Sequence, residues 1–453
     1  MLDGSSSIDP VPSSAYPRFG PPPGQPPFMP GGWKATVLLH PFSPPQSTDP
    51  KPNNPFFQLC VANVWYHTAG DLIAPYFVAQ IAGTEYGTWW YEMYLGKTRV
   101  STDKGATWSD ASSLDWQFPN GTWFGGAPPQ CVGTSKLNWM NGPEAEWWKV
   151  PVDTGDPKAP AATWMWFDST TRYPLRMMYG EGPPSPTRGS TAQLPLFQMY
   201  SFTYFASFQV GAPQFRPTTW TDPVIAGLQV GNPNGYKPFV WNPNFGMTAF
   251  MTPVNELFNP LPTRVLYVWK PDAAYSAASD RAQDTLMLST YNPGSTESQR
   301  ALLFGPAPAG VRPPPHSDKG FLITYNSDGS QSCNSNFPFP QEPPTWISIP
   351  GVQGTIRATI KNNPVLCPNT IITVYSVLFP PAPPNYPDST YLWTWYAPIS
   401  ADGTNSRPVT FMQSQSGVGV GTSLALADYF YYDAPTKPID PANFAVPPAC
   451  SGS

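Results

Sequence analysis

The stretch TWMWFDSTTRYPLRMMY, residues 163–179, decides the fold because it contains a complete strand, turn and strand. Aromatic and apolar residues fill both ends, and a polar segment from Asp168 to Arg172 separates them. The proline at position 174 opens the second apolar run and cannot occupy the interior of a helix. Two such runs around a polar turn predict a β-hairpin.

The same pattern returns in the second half of the chain, as WTWYAPISADGTNSRPVTFM at residues 393–412. A strand-like segment precedes each copy at almost the same distance. Lys34 lies 130 residues before Trp164, and Arg264 lies 129 residues before Trp393. A repeat of this length indicates two copies of one domain rather than a solenoid of short repeats.

This repeat divides the chain into five predicted segments. Residues 1–32 are predicted to be a proline-rich arm, disordered or in the polyproline conformation, and residues 33–210 to be the first β domain. Residues 211–250 are a connector rich in proline and glycine, residues 251–437 are the second β domain, and residues 438–453 are a tail.

The composition favours strands throughout. The 453 residues include 63 prolines and 36 glycines, which interrupt helices. They also include 18 tryptophans, 22 tyrosines and 26 phenylalanines, more apolar surface than a disordered chain carries. We therefore predict an all-β protein of two tandem duplicated antiparallel domains with few helices.

The strand TWWYEMY, residues 88–94, predicts that the sheets are curved. Alternation along a strand places Trp90, Glu92 and Tyr94 on one face and Trp89, Tyr91 and Met93 on the other. Both faces are apolar enough to require covering. We expect each domain to be a half-barrel or barrel-like sheet that encloses an apolar cavity.

Several partners are excluded by charge and hydropathy. The net charge is −5 and there is no basic run, so we expect no nucleic-acid partner. No apolar stretch is long enough to predict a transmembrane segment. The N-terminal residues lack the pattern of a signal peptide, so we expect either an intracellular protein or one whose signal has been removed. The low lysine and glutamate content favours the second, an extracytoplasmic or secreted protein. Composition leaves the oligomeric state open.

The cysteines and histidines do not predict a metal site or a cofactor. The five cysteines have no metal-binding spacing, and His40, His67 and His316 are far apart in sequence. If the cysteines are oxidised, the simplest pairing joins Cys60 to Cys131 and Cys333 to Cys367. That pairing would leave Cys450 as a free thiol.

Three short motifs resemble known families. STDKGATW, residues 101–108, resembles the Asp-box hairpin of sialidase-type propellers, which has a structural role there. The segment from Asp168 to Arg176 resembles LolA-like lipoprotein carriers, and TWWYEMY is similar to lipocalin-like cyclases. Both of the latter resemblances imply a curved sheet around an apolar cavity.

The candidate site residues follow from this cavity. Glu92 is the candidate catalytic acid, because its aromatic neighbours on the strand would raise its pKa. A plain ion pair with Lys97 or Arg99 is the alternative role for Glu92. The candidate ligand-binding residues, each of which could equally be core, are Trp90, Tyr94, Trp164, Trp166, Arg176, Trp393 and Trp395.

We therefore predict a binding protein for an apolar or aromatic-faced small molecule, without metal or cofactor. The alternative is a cofactor-independent cyclase or isomerase that acts on a hydrophobic substrate. Two further alternatives are a structural or surface protein and a glycosidase. The single Asp-box argues against the glycosidase, because the motif recurs in each blade of a propeller.

Overall fold

The structure is a computed structural model in which strands are the main regular element. None of the described residues belongs to an α-helix. Among them there is also no helix long and apolar enough to cross a membrane. The described residues are 18–19, 25–40, 59–67, 76–83, 87–94, 97–111, 128–137, 144–152, 161–180, 197–208, 217–239, 245–253, 263–271, 284–291, 298–304, 319–325, 330–338, 354–379, 390–399, 408–417, 420–432 and 450.

Twelve antiparallel strands form the first sheet. In chain order they are β1 Arg18–Phe19, β2 Gly32–Leu39, β3 Cys60–His67, β4 Tyr76–Gly83, β5 Thr88–Tyr94, β6 Lys97–Ser101, β7 Ser109–Ala111, β8 Gln130–Lys136, β9 Glu144–Val152, β10 Ala161–Asp168, β11 Pro174–Gly180 and β12 Phe197–Ser207. Their order across the sheet is β1-β8-β9-β10-β11-β12-β2-β3-β4-β5-β6-β7. β1 and β7 are the two edges, so these strands do not close into a barrel.

Twelve further antiparallel strands form the second sheet. They are β13 Leu228–Val230, β14 Phe245–Pro253, β15 Thr263–Pro271, β16 Asp284–Tyr291, β17 Ser298–Phe304, β18 Lys319–Tyr325, β19 Gln331–Pro338, β20 Thr355–Lys361, β21 Ile371–Phe379, β22 Thr390–Ile399, β23 Thr410–Gly417 and β24 Val420–Tyr432. Their order is β13-β20-β21-β22-β23-β24-β14-β15-β16-β17-β18-β19. It is the order of the first sheet with every strand number raised by twelve.

The all-β prediction is therefore confirmed. The hairpin 163–179 consists of β10 and β11, with Trp164 paired to Met178 and Trp166 to Arg176. The corresponding pair in the second sheet is β22 and β23, in which Trp395 is paired to Phe411. The two Trp-x-Trp strands thus occupy equivalent places in their sheets.

The two faces of the first sheet contribute to two different cores. Val37 and Leu39 belong to a cluster whose described members all come from the first sheet, apart from Met29. A large sheet buries its face against itself only by curling. On the opposite face, Leu38 belongs to a cluster that also contains Ile360 and Met412 of the second sheet. We call this second cluster the inter-sheet core.

The connector contains regular structure and contacts both sheets. Strand β13 and the start of β14 lie within residues 211–250, and β1 lies within the predicted arm. The carboxamide of Gln80 on β4 binds the connector backbone at Thr219 and Thr221. Ile225 of the connector belongs to the inter-sheet core, which contains residues of the second sheet. The predicted domain boundaries remain predictions.

The predicted cysteine pairing is wrong. The disulfide joins Cys333 on β19 to Cys450, and it links residues 117 positions apart. Cys60, Cys131 and Cys367 are buried free thiols. Cys450 therefore lies against the second sheet, a contact that cysteine spacing alone does not reveal. A cross-link across so long a loop restricts the unfolded chain strongly.

Candidate functional site

A group of polar side chains lies within the inter-sheet core, enclosed by apolar residues. His40 directly follows β2, and its backbone N–H donates to the carbonyl of Met199 on β12. Its side chain reaches Ser201 on β12, with 2.9 Å between Nε2 and Oγ. Its Nδ1 forms a hydrogen bond with the hydroxyl of Tyr396 on β22. His40 therefore connects the two sheets through a polar contact.

Arg176 is the charged member of this polar group, and its side chain is fully buried. The β-ladder places it between Trp166 on β10 and Ser201 on β12. Its guanidinium carbon lies 5.3 Å from the centre of the Trp166 ring, within the range of a cation–π contact. The rings of Trp147 and Trp164 lie 5.5 and 6.2 Å from that of Trp166. We call His40, Ser201, Arg176 and Tyr396 the polar cluster.

Burial sets the protonation of the polar cluster. It lowers the pKa of His40 well below the usual 6.5, and the positive charge of Arg176 lowers that pKa further. Burial also raises the pKa of Tyr396 above its usual range, with Arg176 opposing the shift. At neutral pH the imidazole and the phenol are therefore both uncharged.

Two buried indole groups of the inter-sheet core have no acceptor for their N–H among the described residues. The Nε1 atoms of Trp147 and Trp166 are buried and have no acceptor among the described residues. Buried N–H groups are normally paired, because an unmade hydrogen bond costs about 1 to 3 kcal/mol. These two donors therefore indicate a place where an acceptor atom is expected.

This arrangement has a definite chemical capacity. A neutral imidazole can accept a proton, and a neutral phenol can donate one. A guanidinium and indole N–H groups in a site closed to water stabilise negative charge on an oxygen. Acid, base and oxyanion-stabilising groups thus occur together in the inter-sheet core.

The structure brings three of the sequence-predicted ligand residues together, namely Trp164, Trp166 and Arg176. Trp395 precedes Tyr396 and therefore points to the opposite face of β22, where its ring lies 5.7 Å from that of Phe239. Trp393 shares that face, with its ring 5.8 Å from Trp395. A ligand role for these last two tryptophans remains a prediction.

Glu92, the predicted catalytic acid, lies apart from the polar cluster. It is buried on β5, 3.6 Å from the guanidinium of Arg99, and it accepts a 2.7 Å hydrogen bond from Tyr76. β5 is three strands from β2, roughly 14 Å across the sheet. The ion pair weighed as the alternative is therefore present, and a catalytic role for Glu92 remains a prediction.

Trp90 and Tyr94 flank Glu92 on the same strand. The Trp90 ring lies 5.3 Å from that of Trp108 and 6.2 Å from that of Trp220 in the connector. Tyr94 is exposed and packs edge-on against Tyr76 at 5.9 Å. Trp90 is buried beneath the Asp-box, and neither residue belongs to the inter-sheet core.

The Asp-box is confirmed as a structural hairpin. Asp103 accepts hydrogen bonds from the backbone and hydroxyl of Thr107 and from the hydroxyl of Ser101, at 2.8, 2.5 and 2.7 Å. These bonds lower its pKa to about 2. Gly105 has a φ of 92°, and a Cβ there would lie 2.8 Å from the Trp90 ring. The hydrogen bonds of Asp103 to described residues therefore all lie within the turn.

Sequence reasoning missed His40, Ser201 and Tyr396. They belong to no motif, and 356 positions separate His40 from Tyr396. One signal was present, since a histidine directly after the apolar run VLL predicts a buried imidazole that needs a polar partner. The partner itself could not be identified without the arrangement of the two sheets.

Comparison with known proteins does not assign this chain to a family. No family model matches the chain, and no curated protein matches it. The Pseudomonas aeruginosa MucA/MucB complex is similar at 11% identity and a TM-score of 0.23, covering 66% of this chain and 85% of that chain. MucB in complex with MucA(peri) has the same coverage, 13% identity and a TM-score of 0.21. Kievitone hydratase from Nectria haematococca has 9% identity, coverage of 92% and 94%, and a TM-score of 0.14.

Proposed function

We propose that the protein binds a small hydrophobic molecule between its two sheets, with a flat face against the tryptophans and an oxygen beside Arg176. The observation that carries this proposal is the pair of buried indole donors at Trp147 and Trp166. A carbonyl or other ligand oxygen would accept from them, and the apolar residues around them would pack on the rest of the molecule. The surroundings are closed to solvent, so entry requires the sheets to part.

Two matched ligands test the proposal, 2-acetylnaphthalene and 2-ethylnaphthalene, which have the same shape and differ in one carbonyl oxygen. We expect the acetyl compound to bind roughly fivefold more tightly in a fluorescence titration, since one hydrogen bond contributes about 1 kcal/mol. Trp166→Phe keeps an aromatic ring but removes one of the donors, and should reduce the preference.

The matched control is Trp395→Phe. Its indole nitrogen is likewise buried without an acceptor among the described residues, but it lies on the other face of β22. This variant should keep the preference for the carbonyl ligand. Equal binding of the two ligands by the unaltered protein, or equal effects of the two substitutions, would contradict the proposal.

We also propose a second candidate, a cofactor-independent isomerase or cyclase, which the His40–Tyr396 hydrogen bond favours. In this reaction Nε2 of His40 exchanges its hydrogen bond with Ser201 for the substrate and removes a proton from the carbon next to a carbonyl, and the negative charge moves to the carbonyl oxygen. Arg176 and the indole donors stabilise that oxygen. Tyr396 donates a proton to the rearranged product, and His40 then returns its proton to the phenolate.

Hydrogen–deuterium exchange separates the enzyme from the binder. In D2O the protein should accelerate exchange of the methyl protons of 2-acetylnaphthalene, which NMR measures directly. His40→Gln should abolish the acceleration while leaving the affinity within about threefold, because it removes a base and keeps a polar side chain. Exchange no faster than in buffer, or exchange unchanged in His40→Gln, would contradict the acid–base role.

We further propose that the two halves arose by duplication of one domain, represented by residues 33–210 and 251–437. The equal strand order of the two sheets supports this, as does the equivalent position of the Trp-x-Trp strands β10 and β22. An experimental structure tests it by superposition. The strands that carry Trp164 and Trp393 should superpose on each other, and their occurrence in topologically different strands would contradict the duplication.

A further inference from the structure

A groove with a volume of about 240 Å³ opens at one end of the first sheet, and none of its lining residues belongs to the polar cluster. Three pieces of chain line it: the segment before β2, the turn between β10 and β11, and the end of β12. Two rings on its rim face solvent, since Phe28 is 64% and Tyr173 is 43% exposed. Large exposed aromatic rings that converge on one concavity are typical of ligand sites.

The groove wall is held in place by the apolar core of the first sheet. Phe205 lines the groove, and its ring lies 5.1 Å from that of Tyr173 and 5.6 Å from that of Trp33, which is fully buried. Next to the exposed Phe28, Met29 is buried in the same core. The rims are therefore fixed on both sides, and the exposed rings are supported rather than loose.

The charge in the groove is already compensated. The guanidinium of Arg172 is 2.5 Å from the carboxylate of Glu146 and 2.5 Å from the carbonyl of Gln25. Glu146 is nearly fully buried and also accepts a 2.9 Å hydrogen bond from Trp148. A ligand with a full negative charge would therefore have to approach both Arg172 and a buried carboxylate.

The geometry points to a second ligand site in this groove, which takes a neutral aromatic molecule of one or two rings. The volume suits this size, since an apolar cavity of about 150 Å³ accommodates benzene. Phe28 and Tyr173 supply flat faces for a ring. The compensated Arg172 favours a neutral hydroxyl or carbonyl substituent over a carboxylate. This site differs from the inter-sheet core in position, charge and exposure.

The test titrates the full-length protein with 2-naphthol and with 2-naphthoate, which differ in charge but share two rings. We expect 2-naphthol to bind at least fivefold more tightly. Phe28→Ala together with Tyr173→Ala should weaken 2-naphthol at least tenfold and leave the melting temperature nearly unchanged, because both rings are exposed. Tyr204→Ala is the matched control, since Tyr204 is 50% exposed on β12 outside the groove.

Glu146→Gln distinguishes the proposed charge arrangement from simple hydrophobic adsorption. It keeps an acceptor for Trp148 and leaves Arg172 with an uncompensated charge, so 2-naphthoate should now bind more tightly than 2-naphthol. An unchanged order of affinities, an equal loss in Tyr204→Ala, or no saturable binding of 2-naphthol would overturn the proposal. Trp166→Phe should not alter 2-naphthol binding at the groove, which keeps this test independent of the inter-sheet proposal.

Discussion

Replacing Gln80 by leucine should loosen the attachment of the connector to the first sheet. Gln80 on β4 is fully buried, and both ends of its carboxamide serve the connector. Its Nε2 donates to the carbonyl of Thr219 at 2.9 Å, and its Oε1 accepts from the N–H of Thr221 at 3.0 Å. Leucine has a similar volume and can form neither bond.

The magnitude follows from these two hydrogen bonds. Each contributes about 1 kcal/mol net, so the free energy of unfolding should fall by about 2 kcal/mol. Thr219 and Thr221 are exposed, so water can replace the hydrogen bonds that their backbone groups lose. The free energy of unfolding should therefore fall by no more than this amount. Asn63 and Lys104 retain contacts with the connector at 3.4 and 3.5 Å, so the segment should loosen rather than detach.

Urea unfolding and amide hydrogen exchange measure the effect. We expect faster exchange across residues 217–231 and the stated drop in the free energy of unfolding. The control Gln229→Leu changes an exposed glutamine on β13 and should alter stability by less than about 0.5 kcal/mol. A Gln80→Leu protein with unaltered stability and unaltered exchange in the connector would refute the reasoning.

Three further predictions concern single residues. Gly105→Ala should destabilise the protein by more than about 1 kcal/mol in thermal unfolding, and by more than Gly87→Ala, because both have positive φ but only Gly105 has a ring within 3 Å of the added Cβ. Asp103 has a depressed pKa of about 2, so its contribution to the free energy of unfolding is present above pH 3.8 and is lost as the pH falls towards 2. The difference in the free energy of unfolding between the unaltered protein and Asp103→Asn should therefore shrink from pH 3.8 to pH 2, and a constant difference would contradict this prediction. The pKa of His40 is lowered in the folded protein, so the unfolded chain takes up the proton first and the free energy of unfolding should fall as the pH drops below about 6.5. In urea unfolding at several pH values, this free energy should fall less steeply with pH in His40→Gln, and an equally steep fall would contradict a buried, neutral His40.

Local pattern was sufficient for the strands and turns. The hairpin 163–179 and the turn 101–108 are both present, because side-chain alternation, proline and glycine act within a few residues. Asp103 could be assigned to turn hydrogen bonds from its neighbours alone. The same reasoning could not assign the disulfide of Cys333 with Cys450, which depends on where the tail packs.

The candidate site was predicted only in part. Trp164, Trp166 and Arg176 share one face across adjacent strands, a relation that the hairpin register implies. His40 and Tyr396 come from different sheets, and nothing local relates them. Glu92 is buried as expected, but the neighbouring strand presents Arg99 to it.

By itself the sequence determined that this chain forms short antiparallel strands, that two long segments resemble each other, and that aromatic residues dominate the buried surface. These properties depend on backbone sterics and on side-chain period, which act over a few residues. Only the tertiary structure decided which face of each sheet meets the other, and hence that His40, Arg176 and Tyr396 occupy one closed volume. The physical reason is that both faces of these strands carry apolar residues, so either face of a sheet could be buried against the other sheet as far as the local sequence is concerned. The choice among those packings depends on hydrogen bonds and burial between residues hundreds of positions apart.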